Sequence, residues 1–190
     1  MRRLSRRTFL QAVGGGAGLA VAVHTLPFRG VRAAPAGDSK TLLVGTNLSN
    51  IRTQDPGRTI EVTGMMMEKV TYDTLVTFEA EDLKAPKPLL ATAWKVGADG
   101  RTYTFSLRSG VKFASGNELT SADVKWSFDR ILNLKANTIF LFDGVQEVLA
   151  PDPRTVVIRT KAPQPSIVPI LSHPGLGILD SKLVMEKGGD

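Results

Sequence analysis

The stretch that most limits how this chain can fold is ATAWKVGADGRTYTFSL, residues 91–107. Tyr103, Phe105 and Leu107 alternate with Thr102, Thr104 and Ser106, the period of two that gives a strand one buried and one wet face. Residues 91–96 read as a partner strand, and Gly97, Ala98, Asp99 and Gly100 supply the turn between them. The spacing predicts an antiparallel hairpin whose apolar face needs a covering layer.

A helix three turns long follows in LTSADVKWSFDRILN. Val124, Phe128, Ile131 and Leu132 recur at helical spacing and form its buried face. Thr120 and Asp123 stand where a reciprocal N-terminal cap would form, with Asp in place of the usual Glu or Gln. Lys125 and Asp129, one turn apart, belong to its solvated side. Residues 145–149 and 155–160 flank Pro151-Asp152-Pro153 as a second hairpin, and residues 111–113 read as a short third strand. Residues 41–47, TLLVGTN, read as a buried strand, and Asp55-Pro56-Gly57 as a turn. Ile60, Met65, Met66, Met67 and Val70 lie at roughly helical spacing in residues 58–70, with the methionine run assigned to core filling. Asp180 caps a final helix over residues 181–187. Strands in the middle and helices around them make the class α/β, α+β in part.

The amino terminus has a different character. Ser5 to Gln11, SRRTFLQ, sets Arg6 and Arg7 before an uncharged run over residues 8–28, the order of an export signal's basic and apolar regions. Four glycines, Gln11, His24 and Pro27 make that run a poor membrane anchor. Small-residue sites allow cleavage before Ala34, the preferred position, or before Gly37. The first 33 residues hold six arginines and no acid, which accounts for the whole formal charge of +6. The remainder is balanced, so it has no basic field suited to nucleic acid or an anionic membrane. With no cysteine, neither a disulfide framework nor a lipid-modified cysteine is open to it.

Catalytic constellations do not assemble on paper. His24 leaves with the signal and His173 stands alone, so no catalytic triad is expected. Glu79, Glu81 and Asp82 fall in a polar connection and read as solvated; the glycines of GTNLSN and GADG lack phosphate-cradling spacing. Trp94 and Trp126 read as packing residues. Neither a metal nor an organic cofactor is expected, and no enzyme activity is expected from these groups.

Residues 89–130 carry a resemblance. Leu90, Ala91, Trp94, Asp99, Gly100, Thr102, Tyr103, Thr104, Phe105, Leu107, Arg108, Gly110, Val111, Lys112, Phe113 and Gly116 occur in the order seen in family 5 solute-binding proteins of ABC transporters. Thr120, Ala122, Asp123, Val124, Ser127 and Arg130 continue that order into the helix. Residues 70–79, VTYDTLVTFE, and Asp55-Pro56 resemble earlier segments of the same oligopeptide, dipeptide and nickel-binding group; Ala93 and Ser115 depart mildly from its pattern. SRRTFLQ likewise resembles the twin-arginine export signal, with Arg6, Arg7, Phe9 and Leu10 as its matching residues and Gln11 as its departure.

These resemblances imply a two-lobed periplasmic-binding-protein type II fold that closes around a peptide or other small solute and delivers it to ABC permease subunits. They also imply the twin-arginine translocase as a partner during export, and a periplasmic location. The implied organisation is a signal at 1–33, a linker at 34–40, the start of lobe I at 41–71, a β-rich subdomain at 72–174 and a return to lobe I at 175–190. Ligand contacts are expected from Asn47, Leu48 and Ser49, beyond the end of the first strand. The sequence ends before the family's Gly-Thr-Gly-Pro-Tyr segment, so only an amino-terminal portion of that fold is expected. The competing readings are a truncated fragment that binds nothing and an exported hydrolase.

Overall fold

A computed structural model describes residues 45–79 and 82–189. The export signal with Arg6, Arg7, Phe9 and Leu10, both cleavage positions and the 34–40 linker lie outside the described residues. So does most of the expected strand over 41–47, whose described part, residues 45–47, is exposed and outside any strand.

The hairpin forms where the alternation places it. Strands β3, Ala91–Val96, and β4, Thr102–Leu107, pair antiparallel with Trp94 opposite Phe105 and Val96 opposite Tyr103. Asp99 closes the turn by accepting the amides of Arg101 and Thr102 at 3.0 and 3.2 Å. Gly100 has a φ of 65°, the left-handed region that favours glycine, and its carbonyl accepts the Tyr103 hydroxyl at 2.8 Å. The second hairpin is also present, as β5, Val145–Asp152, and β6, Thr155–Thr160. Together they make a four-stranded antiparallel sheet in the order β3-β4-β6-β5. Tyr103 faces Ile158 and Phe105 faces Val156 across the β4–β6 ladder, and all four side chains are buried.

Helix α2, Ser121–Asn133, covers that buried face. Its apolar side chains Val124, Phe128 and Ile131 are at most 3% exposed, and Leu132 is half-buried against the same core. The Phe128 ring lies 4.9 Å from that of Phe142, in the 3-10 turn Ile139–Phe142. On the wet side Lys125 and Asp129 form their expected ion pair. The other helices are α1, Val62–Thr71, the short α3, Ile167–Ile170, and α4, Ser181–Glu186. Asp180 caps α4 by accepting the Leu183 amide at 3.1 Å.

Both ends of α2 are tied to distant parts of the chain. At its start the Asp123 carboxylate accepts the Thr120 amide at 2.9 Å, completing the capping box, and the Ser181 hydroxyl at 2.6 Å. Ser127 adds a bond at 3.0 Å from the Leu179 amide to its hydroxyl oxygen. At the other end Arg130 donates twice to Asp55, at 3.0 and 2.7 Å, in a bidentate pair spanning 75 residues of sequence. The Arg130 side chain is 8% exposed. Its guanidinium also lies 5.8 Å from the Trp126 ring centre.

Three expectations need correction. Residues 111–113 make no strand: only Lys112 bridges to Glu118, because Phe113 and Gly116 spend their backbone bonds closing a local loop. Glu79 and Asp82 lie not in a plain connection but opposite each other in a hairpin, for β1, Val76–Glu79, pairs antiparallel with β2, Asp82–Pro88. The helix expected over 58–70 exists as α1, yet Val62, Met66, Met67 and Val70 are exposed on it and Ile60 just before it, so the methionine run does not fill a core. Its buried residues are Gly64 and Glu68. A Cβ on Gly64 would sit 2.3 Å from Cγ2 of Thr59, so the face that approaches the 53–59 turn is the one without a side chain in the way.

Removing one partner of a buried charge pair strands the other, at a typical cost of about 3–5 kcal/mol. Arg130→Met should therefore lower unfolding free energy by about 3 kcal/mol in urea titration, the low end because Asp55 is 20% exposed. Lys125→Ala, which breaks an exposed pair, should cost under about 0.5 kcal/mol. Equal losses would contradict the structural role of the Asp55 contact.

Candidate functional site

The residues expected to meet a ligand lie in an exposed loop. The Asn47 side-chain oxygen accepts the Ser49 amide at 2.9 Å, and the Leu48 carbonyl accepts the Ile51 amide at 3.1 Å, so the three residues form one tight turn. Leu48 is 53% exposed. From there the loop becomes progressively anchored. Thr53 accepts the Asp55 amide at 3.1 Å, Asp55 accepts the Gly57 amide at 3.1 Å, and the Thr59 hydroxyl lies 3.1 Å from the carbonyls of both Thr53 and Asp55. The Tyr72 hydroxyl, at the carboxyl end of α1, donates to the Gln54 carbonyl at 3.3 Å. Burial, with the charges of Asp55 and Glu68 nearby, raises the Tyr72 phenol above its ordinary value and keeps it a donor.

A pocket of about 380 Å³ opens elsewhere on the same unit, and Asn47, Leu48 and Ser49 take no part in it. Its walls include Tyr72, Val111, Phe113, Leu119, Ile178 and Leu183. Asp180 sits at its edge, accepting from Ser115, from the Asn117 amide group at 2.9 and 3.1 Å and from the α4 backbone. Burial pushes the Asp180 carboxyl up, but the bonds from Ser115, Leu183 and Asn117 outweigh it and hold the group below its ordinary range. It is a structural carboxylate with its lone pairs engaged. The loop over residues 111–117, whose first three residues read as a strand in the sequence, is thereby fastened to α4, and its residues 111–115 form a wall of the pocket.

His173 serves the backbone as well. Its Nδ1 accepts the Gly175 amide at 3.1 Å, and burial lowers its basicity, which keeps that nitrogen available as an acceptor. Asp82 is exposed and pairs with Lys87 at 3.2 Å. Trp94 is half-buried on Phe105, with ring centres 6.4 Å apart, and Trp126 is half-buried beneath Arg130. Among the described residues no three His, Cys, Asp or Glu side chains gather where they could hold a metal ion. No helix among them is long and apolar enough to cross a membrane.

Sequence reasoning missed the partner of Arg130, the burial of Glu68 and the Asp180–Ser115–Asn117 cluster. Asp55 and Arg130 both belong to the resembling positions, but nothing along the chain pairs them.

Residues 85–189 match the model of the bacterial extracellular solute-binding proteins, family 5, in its middle region. The chain belongs to that family. Among curated relatives of this family-5 protein, the glutathione-binding protein GsiB of Salmonella typhi is 33% identical over 84% of the chain. The aligned part is 31% of GsiB, so the chain spans under a third of that relative's length. Among solved structures, AgaA of A. tumefaciens R10 in complex with agropinic acid aligns with a TM-score of 0.66 at 27% identity, covering 72% of this chain and 28% of AgaA. DppA of Helicobacter pylori in complex with the peptide STSA aligns with a TM-score of 0.63 at 25% identity, covering 71% and 30%. The fold is that of the amino-terminal portion of a type II periplasmic binding protein, a mixed helix and sheet architecture of the expected class.

Exposed side chains with no tertiary contacts to lose change stability little, typically within about 0.5 kcal/mol. Asn47→Ala and Leu48→Ala should therefore leave the thermal midpoint of this family-5 chain almost unchanged. Any loss of ligand affinity in those variants would then report a contact rather than unfolding.

Proposed function

We propose that this chain is the amino-terminal part of lobe I of the substrate-binding component of an ABC importer. The protein binds a peptide or similar small solute between two lobes and hands it to permease subunits. The observation that carries this reading is the likeness of over two thirds of the chain to solved periplasmic binding proteins, one holding the peptide STSA and one agropinic acid. The glutathione-binding protein GsiB and the probable D,D-dipeptide-binding periplasmic protein DdpA of Escherichia coli lean the same way, toward short peptides.

In this reading residues 41–71 open lobe I, residues 72–174 form a β-rich subdomain on it, and residues 175–190 return to the lobe. Hinge closure requires lobes that move as rigid bodies, and the tied ends of α2 supply such rigidity. Asn47, Leu48 and Ser49 contact the solute, reaching out from an anchored base. The protein acts by binding, not by catalysis. It reaches the periplasm by the twin-arginine route, through Arg6, Arg7, Phe9 and Leu10.

Isothermal titration of the mature protein, produced from its own coding sequence, against di- to pentapeptides should give saturable binding. Affinity for a sugar or a metal chelate alone, or hydrolysis of a peptide, would overturn the assignment. Replacing Arg6 and Arg7 together by lysine preserves charge and should remove the protein from the periplasmic fraction; undiminished export would defeat the twin-arginine proposal.

A further inference from the structure

Helix α1 is docked in an unusual way. Its buried residues are Gly64, pressed on Thr59, and Glu68, while Val62, Met66 and Val70 form a stripe at four-residue spacing that faces away from the unit. Glu68 is 1% exposed, and neither of its carboxyl oxygens has a hydrogen-bond partner. A carboxylate in that position loses its hydration without recovering a bond.

The surroundings offer the charged form little relief: the Thr59 hydroxyl nearby favours it, but burial outweighs that. The charged groups acting on it, Asp55 on the 53–59 turn and Glu61 at the start of α1, are both acidic. Arg58 and Arg130 are engaged with Asp55, and Lys69 on α1 reaches away to the Thr77 hydroxyl at 3.0 Å. The Thr59 hydroxyl beside Glu68 is within bonding distance of the carbonyls of Thr53 and Asp55. The 3-10 turn Pro174–Leu176, also packed on α1, has no ionisable residue, and His173 before it uses Nδ1 on the Gly175 amide. Tyr72, at the end of the helix, bonds the Gln54 carbonyl.

We propose that Glu68 is a proton-operated latch on α1, holding the helix against the 53–59 turn while its carboxyl is neutral and loosening it on ionisation. Desolvation by burial is the main cause that raises its pKa above the ordinary 4.5; the Thr59 hydroxyl opposes it, and Asp55 and Glu61 add to it. The docked helix therefore holds its proton to a higher pH than the undocked one. Docking is strongest below the ordinary value and weakens as pH rises through the raised one. Because Thr59 and Tyr72 also hold residues 53–55, loosening α1 softens the base of the 47–49 loop.

Amide hydrogen exchange on the mature protein, corrected for the intrinsic pH dependence of exchange, tests this. Between pH 5 and pH 8 protection across α1 should fall about tenfold or more, the change that one linked proton produces per pH unit, while β4 amides keep theirs. Glu68→Gln, which mimics the neutral acid, should abolish the fall and show at pH 8 the protection that the unaltered protein has at pH 5. Constant α1 protection, a parallel change in β4, or an unaltered fall in the Gln variant would overturn the proposal. A carboxyl-carbon NMR titration of Glu68 needs no variant: an inflection above the ordinary carboxyl range supports the latch, and one within it refutes it.

Discussion

The bidentate contact between Arg130 and Asp55 is what lets the unit hold its shape. Without it the carboxyl end of helix α2 would rely on its apolar face, which resists separation from the sheet but resists sliding poorly, since burial is not directional. Two parallel N–H to carboxylate bonds fix one end of the helix in position and orientation. Asp123 does the same at the other end, using one oxygen for the helix's own first turn and the other for Ser181. The helix becomes a strut joining the earliest described part of the unit to the latest, with the sheet core between them.

Once the strut is in place, the remaining features follow from what it leaves over. The 53–59 turn is pinned by Asp55 and serves as the platform for α1. The chain after Ile178 is pinned by Asp123 and Ser127, which brings Asp180 within reach of Ser115 and Asn117 and closes one side of the pocket. A protein proposed to work by closing two lobes benefits from this arrangement. Its rigid parts are held by directional bonds at their ends, and the groups proposed to meet the solute sit in a short loop whose internal bonds are local.

Helix α1 behaves differently from α2, although both carry apolar residues at helical spacing. In α2 the apolar stripe and the available surface coincide, so the sheet buries Val124, Phe128 and Ile131. In α1 the closest approach is set by Thr59, which tolerates only Gly64 opposite it. That contact turns Glu68 inward and Val62, Met66 and Val70 outward. Periodicity identified the helix, but steric fit at one glycine chose its orientation.

The parts legible in the sequence were those decided by near neighbours along the chain. The β3–β4 hairpin followed from a period of two and a glycine turn, α2 from a period of 3.6 and a capping pair, the β5–β6 hairpin from paired prolines around Asp152, and α4 from Asp180. Each rests on interactions a few residues long, which sequence order alone arranges. The β1–β2 hairpin escaped notice because its strands carry no clean alternation, and residues 111–113 resembled a strand because nothing local marks the lack of a partner edge. Family membership was legible too, since motif order survives without knowing which residues touch. Only the tertiary structure decided that Arg130 meets Asp55, that Asp123 reaches Ser181 and that Glu68 is sealed beneath α1. Those pairings depend on where separate elements come to rest against each other, and that position is set by the packing of the whole core rather than by any stretch of chain.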